Sequence, residues 1–178
     1  MDIQKYVKEA HENAVKHGFY ENQVDIDQKI DLICTELGEI IDADRKGKHS
    51  DYIRYKELLD FIVSNKNNDL KNKMYDIYMK DTIEDEIADV FIRIFSLVGY
   101  LEKPLKPCYK EFNNGLYKNI RIALNTVTSF NLPLINNLSK TLKIMEDTCY
   151  GIGIDIEPYI IQKMLYNRDR PYKHGKEY

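Results

Sequence analysis

Apolar residues recur along most of this chain at steps of three and four, the spacing of one face of an amphipathic helix. No stretch shows the strict alternation between turn residues that a half-buried strand requires. The pattern therefore predicts an all-α protein that forms a single domain over residues 1–178. Asp25 or Asp27 is the candidate cap of its second helix. The predicted core helices span about 3–16, 25–46, 82–101, 111–130, 134–150 and 155–168.

Residues 48–80 interrupt this arrangement with a polar section that is rich in asparagine and lysine. The section contains one or two short helices, and the first of them carries Leu58, Leu59, Phe61 and Ile62. Because it separates the two most apolar helical stretches, we interpret it as an insertion.

Two acidic pairs, Glu36/Glu39 and Glu86/Asp89, lie inside these two apolar stretches. On a helical wheel, Glu36 and Glu39 border the predicted core. The 82–101 helix is apolar in almost every direction, so the stripe that carries its acidic pair should face the interior or a cleft. A carboxylate removed from water without a partner costs several kcal/mol or takes up a proton. The four acids therefore predict a shared cation, and their hard oxygen ligands favour magnesium.

A purely structural interpretation is open for either pair alone. Asp89 and Arg93 are four residues apart and can form an intrahelical ion pair that contributes a few tenths of a kcal/mol. Both pairs on facing helices would, however, place four repelling carboxylates in the interior with too few cations. A metal cluster held by Glu36, Glu39, Glu86 and Asp89 explains the two pairs together.

Composition narrows the function classes. The formal net charge is −3, whereas a general nucleic-acid binder normally carries a basic surplus. The longest apolar run, 90–98, is broken by Arg93 and is far shorter than the roughly 20 residues of a membrane span. Three cysteines in unlike contexts, without a basic-then-apolar leader, favour a reduced, cytoplasmic protein. We therefore expect no nucleic-acid polymer and no membrane as partners.

The segment T-E-L-G-E-I-I-D-A, followed downstream by D-E-I-A-D-V-F-I-R-I, resembles the E-x-x-E and E-x-x-D signature of the MazG-like all-α nucleoside triphosphate pyrophosphohydrolases. The tail K-M-L-Y-N-R-D-R-P-Y-K-H-G-K, residues 163–176, is similar to that of a compact MazG-like subgroup. The likeness covers residues 25–47, 82–101 and 152–176, which is under half of the chain.

The chain departs from this family pattern in two ways. The connection between Glu39 and Glu86 is longer than usual for the family, which agrees with an insertion at 48–80, and by the same comparison 103–150 is a second helical insertion. Thr35 stands where many members carry an additional Glu, so any role of that acid does not apply here.

By this resemblance, Glu36, Glu39, Glu86 and Asp89 correspond to the family's magnesium-binding acids, with Mn²⁺ as a substitute ion. The resemblance implies cleavage of a nucleoside or deoxynucleoside triphosphate to the monophosphate and pyrophosphate, with the ions bridging triphosphate oxygens. Glu39 is the candidate for orienting or deprotonating the attacking water. A homodimer or homotetramer is also implied, since helices from more than one chain complete the family's sites.

The 163–176 segment is a local basic excess within an acidic protein. Guanidinium, ammonium and amide donors suit phosphate oxygens, and several of these residues share one helix face. The resemblance implies that they hold the triphosphate opposite the metal cluster, whereas a solvated charged terminus is the structural alternative. The candidate substrate-binding residues are Lys163, Asn167, Arg170, Lys173 and His174, with Lys176 completing the basic segment.

Aromatic residues near the end of the first helix form a weaker candidate. Phe19 and Tyr20, with His11 and His17 nearby, lie where resembling proteins often build part of a base pocket by stacking. Packing is the commoner role for such side chains.

Three other function classes can be compared with this one. A di-iron carboxylate bundle needs Glu-x-x-His pairs, and none of the four histidines has a Glu three residues before it. A nucleophilic hydrolase of the G-x-S-x-G type is excluded because that motif does not occur. A non-catalytic helical module that binds nucleotides or a protein partner is the main alternative, and it would tolerate Glu36→Gln or Glu86→Gln.

Overall fold

The structure is a computed structural model and describes residues 1–64 and 68–175. Within these ranges every regular element is a helix, which confirms the all-α prediction. Helices α1 to α8 span Ile3–Lys16, Ile26–Arg45, Tyr52–Ser64, Asn68–Tyr78, Ile83–Leu101, Leu116–Val127, Leu134–Gly151 and Glu157–Arg168. A short 3₁₀ turn over Tyr172–Gly175 follows the last helix.

Helix α5 is at the centre of the fold and contacts α1, α2, α7 and α8. Side chains on nearly every side of it are buried, and the rings of Phe91 and Phe95 are fully enclosed. Each large apolar side chain buried in this way stabilises the fold by about 1.5–3 kcal/mol. Thr82 caps the start of α5, where its hydroxyl accepts a backbone hydrogen bond. In the described part of the chain, none of the helices has both the length and the hydropathy of a bilayer span.

Helix α2 packs along α5 and carries the first acidic pair. Its cap is Asp25, whose carboxylate accepts the N–H of Gln28 at 3.2 Å. Asp27 lies inside the first turn, where a negative charge favours the helix N-terminus. The buried core residues of α2 are Ile33, Leu37, Ile40 and Ala43. Glu36 is buried on this core-facing side of the helix.

Helices α3 and α4, which lie within 48–80, pack against each other as a helical hairpin, and the two ends of this section meet. The N–H of Ile83 donates to the carbonyl of Lys48 at 3.0 Å, which closes the hairpin beside the start of α5. Inside the hairpin, Tyr55, Tyr75 and Met79 form a small core of their own. A segment that leaves and returns at one point is compatible with an insertion, and that interpretation of 48–80 stays a prediction.

The apolar residues predicted for the first hairpin helix are buried to different degrees. Leu58 and Leu59 are half-buried and Ile62 is buried. The side chain of Phe61 lies outside the described residues.

The section 103–150 shares the main core of the protein. Helix α6 begins at Leu116, five residues later than predicted, because the preceding chain is held by a distant contact: the N–H of Phe112 donates to Asp147 Oδ2 at 2.9 Å. Gly115, at φ 78°, then adopts the left-handed conformation that leads into the helix. Helix α6 packs on α7 and α2 and contributes buried residues such as Ile120 to the main core. The status of 103–150 as an insertion stays a prediction.

Candidate functional site

Three of the four predicted metal ligands lie together where α2 meets α5. One carboxylate oxygen from each of Glu36, Glu86 and Asp89 lies within 4.8 Å of the others, and we call these three residues the acidic triad. Glu36 is 4% exposed and Glu86 is 6% exposed, while Asp89 is half-buried. Glu39 is exposed and lies outside the triad, although it lines the same cavity. The acids of the two helices therefore converge, with Glu39 at the outer edge.

Arg93 is the partner of Glu36. Its Nε donates a hydrogen bond to Glu36 Oε1, and Nη2 forms an ion pair with the same oxygen, across the interface between α5 and α2. Asp89 pairs with Lys163 instead. The intrahelical Asp89–Arg93 pair considered above is therefore replaced by two pairs between helices, Arg93–Glu36 and Lys163–Asp89.

Lys163 of α8 contacts Asp89 of the acidic triad and the neighbouring Asp85. We call the acidic triad, Asp85, Arg93 and Lys163 together the acidic cluster. Its Nζ lies 2.8 Å from Asp85 Oδ2 and 2.7 Å from Asp89 Oδ2, and the side chain is almost fully buried. Burial alone would lower the pKa of Lys163, but attraction to Asp89 and Asp85 raises it above its ordinary value. Lys163 thus lies within the acidic cluster rather than across the cavity from it, because two carboxylates on one face of α5 attract its ammonium.

The cluster holds more negative than positive groups. Four carboxylates, those of the acidic triad and Asp85, lie close to two cations, Arg93 and Lys163. Burial and repulsion from Asp89 raise the pKa of Glu36 to about 7. The same two causes raise the pKa of Glu86 to about 9. Near neutral pH the cluster therefore retains protons, and one divalent cation would supply the missing positive charge.

The acidic triad opens into a cavity of about 380 Å³, a size typical of small-ligand sites. One part of the lining is aromatic and apolar, with Phe19, Tyr20 and Leu32. The ammonium of Lys29 lies 4.9 Å from the centroid of the Tyr20 ring, within the range of a cation–π contact. The basic residues that line the cavity are Lys29, Lys80, Arg93, Lys163 and Arg170. Carboxylates, cations and aromatic rings thus share one cavity.

The C-terminal segment brings four of its five predicted residues to this cavity. They are Lys163, Asn167, Arg170 and His174. Lys173 lines a smaller neighbouring pocket beside Lys29. Lys176 lies outside the described residues.

His17, at the end of α1, fixes the C-terminal segment. One of its ring nitrogens lies 2.8 Å from a backbone carbonyl of α1, and the other lies 3.0 Å from the carbonyl of Arg170. The carbonyl of His17 also accepts the N–H of Lys173 at 2.9 Å. Gly18, at φ 81°, leaves room for the ring of Tyr172, since a Cβ there would lie 2.3 Å from a ring carbon. The basic tail is therefore positioned by α1.

Two buried polar atoms in the cavity lining have no hydrogen-bond partner among the described residues, Asn13 Oδ1 and His174 Nε2. Burial, together with the nearby Arg170 and His17, lowers the pKa of His174 to about 3, so its ring is neutral near pH 7. An unsatisfied buried polar group costs about 1–3 kcal/mol. A ligand in the cavity would remove this cost if either side chain turned towards it and formed a hydrogen bond.

Several residues of the site were not predicted from the sequence, among them Asn13, Lys29, Asp85 and Tyr75, whose hydroxyl donates to Asp85. Asp85 carries a usable signal, because it lies four residues before Asp89 and so shares its helix face. Tyr75 carries none, since it lies inside the polar hairpin. The directions of Asn13 and Lys29 depend on how α1 and α2 pack, which the spacing of residues does not specify.

The donors of the acidic triad fit a hard divalent cation. All three are carboxylates, which suit Mg²⁺ or Mn²⁺ better than the softer metals that bind Cys or His. Magnesium binds oxygen at about 2.0–2.1 Å, so its ligand oxygens lie about 3–4 Å apart, and the triad needs only a small contraction.

Nothing matched the chain when it was compared with protein-family models, curated proteins and solved structures.

Proposed function

We propose that this chain is a MazG-like, Mg²⁺-dependent pyrophosphohydrolase that cleaves a nucleoside or deoxynucleoside triphosphate to the monophosphate and pyrophosphate. The observation that carries the proposal is one cavity that combines the acidic triad, a set of basic side chains and an aromatic end. Carboxylates favour a cation, cations favour an anion, and aromatic rings favour a flat apolar ring. A nucleoside triphosphate with its bound cation contains a cation, an anionic group and a flat ring.

The basic residues would divide the binding of the phosphates. Arg170 offers a planar fork of N–H donors, and its guanidinium is already oriented by Asn167 Oδ1 at 3.4 Å. Lys163 offers a point charge from within the acidic cluster, next to the carboxylates that would hold the cation. Phosphate oxygens would therefore meet donors from α8 and from the turn that follows it, close to the acidic triad.

The aromatic end would take the base. The rings of Phe19 and Tyr20 line it, and the unpartnered Asn13 Oδ1 and His174 Nε2 lie in the same lining. Stacking holds any base, and Asn13 Oδ1 can accept a hydrogen bond from a base N–H, which every canonical base offers.

Glu36, Glu86 and Asp89 would hold Mg²⁺, or Mn²⁺ in its place. When bound, this ion neutralises triphosphate charge and lowers the pKa of a bound water. Glu39 is the proposed catalytic residue: it is exposed at the cavity edge, where its carboxylate can accept a proton from the attacking water. Arg93 holds the Glu36 carboxylate in place at the α2–α5 interface.

The decisive experiment is incubation of the purified protein with Mg²⁺ and a panel of canonical and modified NTPs and dNTPs, with the products resolved by chromatography. We expect monophosphate and pyrophosphate, and release of orthophosphate would contradict the proposed cleavage position. Glu86→Gln should abolish turnover. Glu12→Gln, a substitution outside the cavity lining on the α1 surface, is the control for the change of charge.

A non-catalytic nucleotide-binding or protein-interaction module is the second candidate. It is favoured by the pairs Arg93–Glu36 and Lys163–Asp89, because an acid with an internal partner needs no metal. Such a module would bind nucleotide or a protein without turnover, and it would keep this binding in Glu36→Gln.

We also propose a cytoplasmic location and a homodimer or homotetramer. The location is supported by Cys34, Cys108 and Cys149, which are all free thiols. Large apolar side chains such as Phe130, which is 97% exposed, are available for contacts between copies. Light scattering coupled to gel filtration measures the oligomeric state directly.

A further inference from the structure

The α3–α4 hairpin reaches the acidic cluster through Tyr75. This residue is 1% exposed, and its hydroxyl donates a hydrogen bond to Asp85 Oδ1. Its ring stacks on that of Tyr166 in α8, with 4.3 Å between centroids. A residue of the polar section therefore lies one hydrogen bond away from a carboxylate that contacts Lys163.

Both oxygens of Asp85 have partners. Oδ1 accepts from Tyr75, while Oδ2 accepts the backbone N–H of Asp81 at 3.1 Å and the ammonium of Lys163 at 2.8 Å. The carboxylate cannot rotate without breaking one of these bonds. The ammonium of Lys163 is in turn shared between Asp85 and Asp89, which belongs to the acidic triad.

We propose that Tyr75 is a positioning residue of the site, which acts through Asp85 on Lys163 and makes the α3–α4 hairpin a functional part of the site. A lysine ammonium sits on a flexible four-carbon stem, so its position depends on the groups that hold it. With Asp85 fixed by Tyr75, Lys163 keeps an anchor that does not belong to the acidic triad. Asp89 can then turn to a cation while Lys163 stays in place for a phosphate.

Loss of the Tyr75 hydroxyl would release this anchor. Asp85 Oδ1 would be left buried without its donor, and the carboxylate would rotate or shift to recover a partner. The ammonium of Lys163 would move towards Asp89, where it competes with a bound cation. The catalytic consequence rests on the proposed function, whereas the effect on Lys163 does not.

Attachment of the hairpin to the rest of the protein does not depend on the Tyr75 hydroxyl alone. Tyr55 donates to Gln162 Oε1 at 3.3 Å, and Tyr166 of α8 donates to Asp76 Oδ1 at 2.8 Å. Tyr55→Phe is therefore a matched control, because it removes one hydroxyl from the same hairpin and the same helix contact without touching Asp85.

The test uses the full chain, labelled with ¹⁵N at lysine, free of metal and substrate. The ammonium signal of Lys163 is assigned by its loss in Lys163→Met. We expect this signal to shift or broaden in Tyr75→Phe and to stay in place in Tyr55→Phe. A role in packing alone would lower the melting temperature of Tyr75→Phe and leave the signal unmoved, and that result would overturn the proposal.

Two further measurements complete the test. If Tyr75→Phe does not fold, Asp85→Asn replaces it, and an unmoved Lys163 signal in that variant also overturns the proposal. Turnover of a nucleoside triphosphate by Tyr75→Phe should fall about tenfold in kcat/KM, or about 1.4 kcal/mol, with Tyr55→Phe near the wild type.

Addition of Mn²⁺ to the wild type separates this inference from the proposed function. Paramagnetic broadening of the Lys163 signal supports a cation at the acidic triad. If Mn²⁺ leaves that signal sharp while Tyr75→Phe still moves it, the positioning role is supported and the proposed metal site is contradicted.

Discussion

The guanidinium of Arg93 in α5 donates to the buried carboxylate of Glu36 in α2, and this pair joins the two helices that carry the acidic triad. Glu36 therefore has an internal cation even without a metal. Burial and repulsion from Asp89 nevertheless raise the pKa of Glu36 to about 7, so one guanidinium does not fully compensate the cluster. A divalent cation at the acidic triad would supply the positive charge that is still missing.

Removal of Arg93 should destabilise the metal-free protein. In Arg93→Met, Glu36 stays buried without its partner, and we expect a loss of about 2 kcal/mol, less than the 3–5 kcal/mol of a broken buried pair because Glu36 can take up a proton. At about 2–4 °C per kcal/mol for a chain of this size, thermal unfolding in EDTA should show a melting temperature lower by about 4–8 °C. An unchanged melting temperature would mean that the pair does not join α2 and α5 in solution.

Glu86→Gln should have the opposite effect on stability. Near neutral pH the folded wild type must hold Glu86 protonated, which costs stability because its pKa is 4.5 when unfolded, whereas Gln has the same shape and is neutral without a proton; the metal-free variant should therefore melt at a higher temperature. The stabilisation that Mg²⁺ gives to the wild type should shrink or disappear, since a ligand has been lost. Melting curves with and without Mg²⁺ measure both effects. A melting temperature that neither magnesium nor the substitution moves would count against a shared cation site.

The stability of the metal-free protein should fall as pH rises. Glu86 has an ordinary pKa of 4.5, which burial and Asp89 raise to about 9 in the folded chain. The folded state therefore binds more protons than the unfolded state between these values, and stability falls with pH by at most about 1.4 kcal/mol per unit for one such group. Melting temperatures in EDTA from about pH 6 to about pH 8.5 test this, and Glu86→Gln should flatten the curve.

Addition of Mg²⁺ should reverse this trend. The ion binds the deprotonated acids, so the stabilisation that it gives should grow over the same pH range. A pH-independent magnesium effect would show that the buried acids do not exchange protons for metal.

The sequence specifies α5 well because its signals are local. The dense apolar pattern and the Thr82 cap predict a helix over 82–101, and the helix observed is Ile83–Leu101. The predicted start of α6, at about residue 111, is too early because the start depends on the bond between Phe112 and Asp147, 35 residues away in the chain. Local periodicity carries no information about such a contact.

The contrast between local signals and contacts of distant residues applies to the site as well. Glu36, Glu86 and Asp89 could be predicted to converge because each lies on the inward side of its own helix. The contact of Lys163 with Asp85 could not, because it depends on how α8 packs against α5. Glu39 shows the limit of a helical wheel: it borders the core in projection and is exposed in the fold.

Alanine substitutions at two helical glycines should change the free energy of unfolding in opposite directions. A Cβ at Gly99 of α5 would lie 2.5 Å from the Cβ of His11 in α1, so Gly99→Ala forces these helices apart and should cost about 1–3 kcal/mol. A Cβ at Gly38 of α2 would meet nothing within 4 Å, so Gly38→Ala should stabilise by about 0.5–1 kcal/mol through helix propensity. Chemical denaturation of both variants measures the pair, and equal effects would contradict the packing of α1 on α5.

Substitutions of Arg170 and Arg168 test the role of the tail in substrate binding, because each removes one positive charge. Arg170 lines the cavity of the acidic triad, whereas Arg168 is exposed and lines a different pocket. If Arg170 binds the triphosphate, Arg170→Gln should raise KM about tenfold, because one charge-assisted phosphate contact contributes about 1.5–3 kcal/mol. Arg168→Gln removes the same charge from the last residue of α8, two residues before Arg170, and should leave KM within about twofold, since screening weakens distant surface charges. Equal increases in both variants would indicate a general electrostatic effect of a solvated tail, and this result would remove Arg170 from the site.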